Sequence, residues 1–295
     1  AETDKAQPNY TEASTDKQDA LNQAIEAAKA ITNIPNGSNA TKQQVEQAIN
    51  QIQQTSNDLD DNQRVNDAKT QAKQTIDQLQ HLNDDQKATA KQNVEQATQL
   101  QPIAQIVEQT NQLDQAMNAL KQAINNQPNV KNTVDYTQAD TDKQDAYNQA
   151  VTEAQQLITQ NATQQQIDQA LQAINNAKQD LNGDEKVAES QKQAKQTIDQ
   201  LQHLNQAQHQ SLIEQVEQSQ DLNNINQIVD DAKALNQAMN DLQNAVVNSE
   251  GPTKTSGNYI NADTSLQHDF DQAITNANKA LDKPTGSNLS IDQVN

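Results

Sequence analysis

The sequence predicts an all-α chain of tandem three-helix bundles, joined by long shared helices into an elongated rod. Three observations carry that expectation. Apolar residues are scarce, 33% of 295 residues, yet they fall at helical spacing throughout. Long stretches of sequence return further along the chain. Only 5 Gly and 6 Pro punctuate it, and they cluster between the periodic segments rather than inside them.

The helices follow in order from the spacing. Leu21, Ala24, Ile25, Ala28 and Ile31 mark one face of a helix over 15–33. Val45, Ala48, Ile49, Ile52 and Leu59 mark a second over 41–60, and Ala72, Ile76, Leu79 and Leu82 a third over 62–82. A fourth is expected over 84–99. The fifth runs from Pro102 to near Asn126 on Ile103, Ile106, Val107, Leu113, Met117, Leu120 and Ile124. Pro suits a first helical position because its missing N–H has no partner there anyway. Such a helix is longer than one small bundle needs. Its N-terminal half is expected to close one bundle and its C-terminal half to open the next. The second period repeats the pattern, with 222–248 as the long element ended by Gly251-Pro252. The polar junctions Asn57–Asn62 and Gln179–Asp184 admit either a continuous helix or a tight turn.

The repeat is explicit. Tyr10–Ile25 (YTEASTDKQDALNQAI) returns as Tyr136–Val151 (YTQADTDKQDAYNQAV) and as Tyr259–Ile274 (YINADTSLQHDFDQAI). Ala72–Asn83 (AKQTIDQLQHLN) recurs without change as Ala194–Asn205. The copies differ in one connection. Pro35-Asn36-Gly37-Ser38 and Pro284-Thr285-Gly286-Ser287 are long loops, and Leu157–Asn161 is a tighter link. Helix starts are repeated too, as Ser/Thr followed three residues on by Gln: Thr15/Gln18, Thr141/Gln144 and Thr264/Gln267, then Thr41/Gln44, Thr163/Gln166 and Ser290/Gln293. In this capping box the hydroxyl accepts from an orphan N–H and the Gln side chain reaches back to another.

Composition excludes several functions. A formal charge of −20 repels phosphate backbones, and no basic patch with interleaved aromatics opposes it, so no nucleic-acid partner is expected. No apolar run approaches the roughly 20 residues that span a bilayer. The absence of Cys removes disulfides, thiolate chemistry and Cys-based zinc sites. His81 and His203 occupy equivalent helix-end positions, where the dipole favours a cation. His209 lies six residues beyond His203 across an expected turn, and His268 stands where other copies have Asp19 and Asp145, so no metal site is expected. The acid pairs Asp60-Asp61, Asp84-Asp85 and Asp230-Asp231 fit helix starts better than a catalytic cleft. No Ca²⁺ loop is present. Tyr10, Tyr136 and Tyr259 share one repeat position and are expected to pack on the helix that follows. Slender bundles are not expected to hold a pocket of 300–1,000 Å³. No catalytic, cofactor-binding or metal residue is assigned, no cofactor is expected, and the ligand-binding residues are unknown.

The alternation of a unit containing LNQAI…TKQQVEQAINQI with one containing AKQTIDQLQHLNDDQ…VEQATQLQPIAQIVEQTNQLDQAMNAL resembles the FIVAR and GA modules of giant Gram-positive surface proteins. The resemblance spans essentially the whole chain. It divides the chain into a FIVAR-like module at 1–60 (incomplete at its N-terminus), a GA-like module at 61–112 and a FIVAR-like module at 113–182. A second GA-like module at 183–234 and a FIVAR-like module truncated at its C-terminus, 235–295, complete the expected piece of a longer array. The resemblance implies a cell-wall-associated surface adhesin with roles in adhesion to host matrix proteins such as fibronectin and in envelope integrity; the chain is expected to be a monomeric spacer whose weak contacts gain avidity by repetition. It also implies an alternative, a dedicated albumin- or fibronectin-binding module. The GA modules of related streptococcal proteins bind serum albumin, and there the second helix and its flanking loops present aromatic and aliphatic side chains to it. The matching stretches here, Asp84–Thr98 and Gln206–Ser219, contain no aromatic residue, and Leu212 and Ile213 are expected at the core and its rim.

Overall fold

The computed structural model describes residues 3–33, 35–37 and 39–295; Ser38, the last residue of the expected Pro35–Ser38 loop, lies outside them. In chain order the elements are a 3-10 turn at Thr3–Ala6, α1 (Pro8–Thr11), α2 (Thr15–Thr32), α3 (Lys42–Asn57), α4 (Asp61–Gln78), α5 (Asp84–Gln96), α6 (Leu100–Asn125), α7 (Gln127–Lys131) and α8 (Val134–Thr137). Then follow α9 (Thr141–Leu157), α10 (Gln164–Gln179), α11 (Gly183–Asp199), α12 (Gln206–Gln218), α13 (Leu222–Lys254), α14 (Gly257–Ile260), α15 (Thr264–Leu281) and α16 (Ile291–Val294). The class is all-α, with no strand among the described residues. Two compact units divide the chain: 1–126 with 149–175, and 127–148 with 176–295.

In the first unit α2 pairs with α3, and α4, α5 and the start of α6 form a three-helix bundle. Its core is Ala72, Ile76, Ala90, Val94 and Ile103, flanked by Val65, Ala68, Ala97, Ile106 and Val107. Ile76 and Val94 are completely buried. The second half of α6 buries Ala116, Met117, Leu120 and Ile124. In α10, Ile167 and Ile174 are buried in turn.

In the second unit α11, α12 and the first half of α13 make the corresponding bundle, and α13 continues past it to pack against α15 and α16. One apolar cluster extends from Val187 and Ile198 through Ile225, Ala232, Leu235 and Met239 to Val294. The expected sharing of one helix by two bundles is therefore present here.

A polar joint recurs where the chain leaves α1 and α8 and meets the bundle that follows. In the first unit, the Ser14 N–H donates to Asp60 Oδ1 at 2.7 Å and Arg64 Nη1 donates to the Glu12 carbonyl at 2.7 Å. The Glu12 carboxylate accepts from the Leu100 N–H at 3.0 Å, capping α6 from another module. In the second unit, the Asp140 N–H donates to Asn182 Oδ1 at 3.0 Å, Lys186 Nζ reaches Asp140 at 2.6 Å, and the Leu222 N–H donates to Gln138 Oε1 at 3.1 Å. The junctions before α4 and α11 are turns. At Gly183 a Cβ would collide with the carbonyl oxygens of Val134 and Asp135, so the close approach of α8 to α11 requires glycine there.

Several boundaries differ from expectation. α4 ends at Gln78, not 82, because Leu79 turns extended and lets Leu82 tuck inward from a loop. α5 ends at Gln96, not 99. α6 starts at Leu100, so Pro102 is its third residue, still within the first turn where N–H groups have no partner. α13 does not stop before Gly251-Pro252 but runs to Lys254. Pro252 lies in the last turn, where it removes a single backbone bond.

The capping boxes divide into two groups. Thr41/Gln44 forms one, and Thr163/Gln166 shows both reciprocal bonds, at 2.8 and 3.4 Å. The Ser290 N–H donates to Gln293 Oε1 at 2.9 Å. Thr15, Thr141 and Thr264 are instead the first helical residues, and Ser14 and Asp263 occupy the positions just before α2 and α15 without a side-chain cap bond. The glutamines paired with them by spacing fasten the preceding one-turn helix. Gln18, Gln144 and Gln267 donate from Nε2 to the carbonyls of Tyr10, Tyr136 and Tyr259 at 2.8, 2.7 and 2.7 Å.

Candidate binding surface

The tyrosines pack on the helix that follows them, as expected. Tyr10 OH accepts from Asn22 Nδ2 at 2.7 Å, Tyr136 OH accepts from Asn148 Nδ2 at 2.9 Å, and Tyr259 OH donates to Asp271 at 2.8 Å. Tyr136 meets Tyr147 edge-on at 6.0 Å and Tyr259 meets Phe270 at 5.7 Å. That hydrogen bond, with burial, raises the Tyr259 hydroxyl above its usual value.

The histidines do not converge. His81 and His203 lie in the loops after α4 and α11, beyond the last helical turn, so the dipole reading does not apply to them. Their backbone N–H groups donate to Asp114 at 2.7 Å and to Asn236 at 2.8 Å, pinning each loop to the long helix beside it. His209 Nε2 lies 2.8 Å from Asp199 and His268 is exposed on α15. No metal-competent group of side chains occurs among the described residues.

The acid pairs separate likewise. Asp60 immediately precedes α4 without capping it, and the Ser14 N–H holds its carboxyl below the usual range. Asp84 and Asp85 lie in the first turn of α5. Asp230 and Asp231 lie inside α13, so the helix-start explanation fails for them. They accept from Lys233 at 3.3 Å and from Gln227 at 2.9 Å along the helix surface.

The stretches related to the albumin-binding helix present polar faces. In α5 the buried residues are Gln86, Ala90 and Val94; the exposed face carries Asp85, Thr89, Gln92, Asn93 and Glu95. In α12, Leu212 is buried and Ile213 packs half-buried against the core.

Cavities are larger than expected. An open groove of about 510 Å³ lies beside α5, lined by Gln86, Asn93, Gln109, Gln112, Asn161 and Gln164 among others. A groove of about 520 Å³ recurs in the second unit beside α12, lined by Ser211, Leu212, Gln215, Asp231, Leu235 and Gln293 among others. The expectation of no pocket in this size range is not met, because the turn of one module overhangs the bundle of its neighbour. Sequence spacing misses these grooves, since their walls come from residues about 75 positions apart. Large apolar side chains exposed elsewhere are Val45, Ile49, Val247, Ile260 and Leu266. No helix is long and apolar enough to cross a membrane among the described residues.

The FIVAR domain model matches residues 1–60, 116–182 and 238–295, and the GA module model matches 62–116 and 184–238. The extracellular matrix-binding protein EbhA of Staphylococcus aureus strain Newman is 57% identical over 292 residues, which cover 99% of this chain and 8% of that protein. The extracellular matrix-binding protein ebh of strain NCTC 8325 / PS 47 is also 57% identical, over 99% of this chain and 3% of its own length. The chain thus spans only a small part of these curated relatives. A crystal structure of the 756–1003 domain of S. aureus EbhA superposes with a TM-score of 0.69 at 32% identity, covering 79% of this chain and 94% of that one. With both module models matching in alternation along its length, the chain belongs to the FIVAR and GA module repeat family.

Proposed function

We propose that this chain is a repeat segment of a bacterial surface adhesin and acts there as an elongated helical spacer. The observation that carries the reading is α13, whose apolar residues join a GA-type core to a FIVAR-type core without a break. A flexible linker between bundles is absent at that place, so tension or thrust passes from one module to the next along a helix. The modules in this reading are 1–60, 61–112, 113–182, 183–234 and 235–295. The chain is a monomer in this reading, kept soluble and extended by its net charge of −20. Small-angle X-ray scattering tests it: a monomer with a maximum dimension on the order of 100 Å or more is expected at a rise of 1.5 Å per residue. A compact particle contradicts it.

The name extracellular matrix-binding protein, carried by the relatives, supports matrix adhesion. In this reading each module binds a host matrix protein such as fibronectin weakly, and many copies supply avidity. Cell-wall association and support of the envelope follow from the parent adhesin, and the segment has no catalytic activity. The competing reading is a dedicated albumin- or fibronectin-binding module. The polar exposed face of α5 favours the spacer, since a tight protein interface needs a desolvated apolar or aromatic anchor. Surface plasmon resonance of the chain over immobilised fibronectin and albumin separates them. Saturable binding at micromolar or tighter concentration supports the dedicated module.

A further inference from the structure

Both GA-type bundles open their second helix with the same pair of amides. Asn83 caps α5 and Asn205 caps α12: each Oδ1 accepts at 2.9 Å from the N–H of Gln86 or Gln208. Each glutamine Oε1 accepts in return from the asparagine N–H, at 3.2 and 3.1 Å. This capping uses only side-chain acceptors, which Asp and Glu would supply equally well. The amide nitrogens are surplus to it.

Those nitrogens are spent on the next module. Asn83 Nδ2 donates to the carbonyls of Ile158 at 2.9 Å and Gln160 at 2.7 Å, and Gln86 Nε2 to that of Ala162 at 2.9 Å. In the second unit Asn205 Nδ2 donates to Ala280 at 3.1 Å and Ser287 at 2.9 Å, and Gln208 Nε2 to Leu289 at 3.1 Å. Five of the six acceptors lie in the α9–α10 or α15–α16 turn, and the sixth, Ala280, lies in the last turn of α15. Gln86, Asn205 and Gln208 are buried, so a donor left unpaired there costs its full desolvation.

The two turns share little sequence, Leu157–Thr163 against Asp282–Ser290, yet both are gripped, because every acceptor is a backbone oxygen. Gly286 serves the same approach: a Cβ there would press on Asn205 Nδ2 and on the carbonyls of Ala280 and Asp282. Lys283 adds a cationic bond to the Gln202 and Leu204 carbonyls in the second unit.

We propose that this Asn-x-x-Gln pair is an inter-module recognition site. Its ligand is the interhelical turn backbone of the FIVAR module that follows, and it fastens each GA-type bundle to that turn. The test is the double variant Asn205→Asp with Gln208→Glu in the full chain, which keeps the acceptors and deletes the donors. By hydrogen exchange read by mass spectrometry, residues 281–290 are expected to exchange about ten-fold faster or more. Protection of 206–218 is expected to persist, and the turn 157–163 of the untouched joint serves as internal control. Unchanged exchange over 281–290 overturns the proposal. So does equal loosening of 206–218, which would make the pair a helix cap and nothing more. Gln208→Glu alone, a milder change, must show the same confinement to 281–290 at smaller size; loss of α12 protection there counts equally against it.

Discussion

The two GA-type bundles have the same topology and the same flanking joints, but they are packed differently. Ala90 of α5 corresponds to Leu212 of α12, and buried Thr110 of α6 corresponds to Ala232 of α13. Val65 is half-buried in the first bundle and its counterpart Val187 is buried in the second. The second core buries more apolar side chains, and it runs on into the module that follows it. Identical spacing of apolar positions therefore sets the topology, while the volume at a few of those positions sets how firmly each bundle holds.

Truncating the larger core has the greatest expected effect. Leu212→Ala should cost the second bundle about 2–5 kcal/mol by loss of transfer energy and the cavity left behind. Native-state hydrogen exchange over α11 and α12 reads it, with α4 and α5 as the unaffected reference; equal loosening of both bundles would break the comparison. The reciprocal change, Ala90→Leu, should strengthen the first bundle by up to about 2 kcal/mol at roughly 0.8 kcal/mol per added buried methylene. The open groove beside Ala90 gives the longer side chain room, as Leu212 has beside its own groove. A fall in protection of α5 would mean the first core is already full.

Thr110→Ala should stabilise α6 by about 0.5 kcal/mol. The hydroxyl now bonds back to the Ile106 carbonyl at 2.6 Å, a contact that competes with helix geometry, and Ala is the better helix former. Thermal denaturation followed over α6 by hydrogen exchange checks the sign. Acid should weaken both units by smaller amounts. The Ser14 N–H lowers Asp60 in one joint, and Lys186 with Asn182 lowers Asp140 in the other, while Lys73 lowers Glu95 in the first bundle. Their folded pKa values lie below the unfolded ones, so the contribution is complete above the ordinary carboxylate range near 4 and is lost as pH falls through the folded values. Circular dichroism melts at pH 7 and pH 3 should show a lower midpoint in acid, and an unchanged midpoint would deny these joints any role in stability.

Helix class, repeat and long shared helices were legible because a 3.6-residue period needs no knowledge of partners. Helix starts were only half legible. Ser14-Thr15, Asp140-Thr141 and Asp263-Thr264 each place two capping residues side by side, so the three-residue spacing fits two registers and the hydroxyl–Gln pairing selects the wrong one. Asn83 and Asn205 escaped notice for another reason: a helix start was expected at 84, but capping boxes were read only from Ser or Thr followed by Gln, which passes over Asn-x-x-Gln. Contacts from Asn83 to Gln160, or from Asn205 to Ser287, join backbone oxygens about 80 positions away, and no side-chain pattern encodes those. The grooves were illegible on the same ground.

α13 is one helix that belongs to two bundles. Because the chain has no Cys, spin labels placed by Asn223→Cys and Asn248→Cys, both exposed on α13, report on that helix alone. Electron–electron resonance distance measurement should give a single narrow distribution near 38 Å, from about 1.5 Å rise over the intervening residues. A broad distribution, or one centred well below that distance, would place a hinge between the bundles and rule out a continuous shared helix.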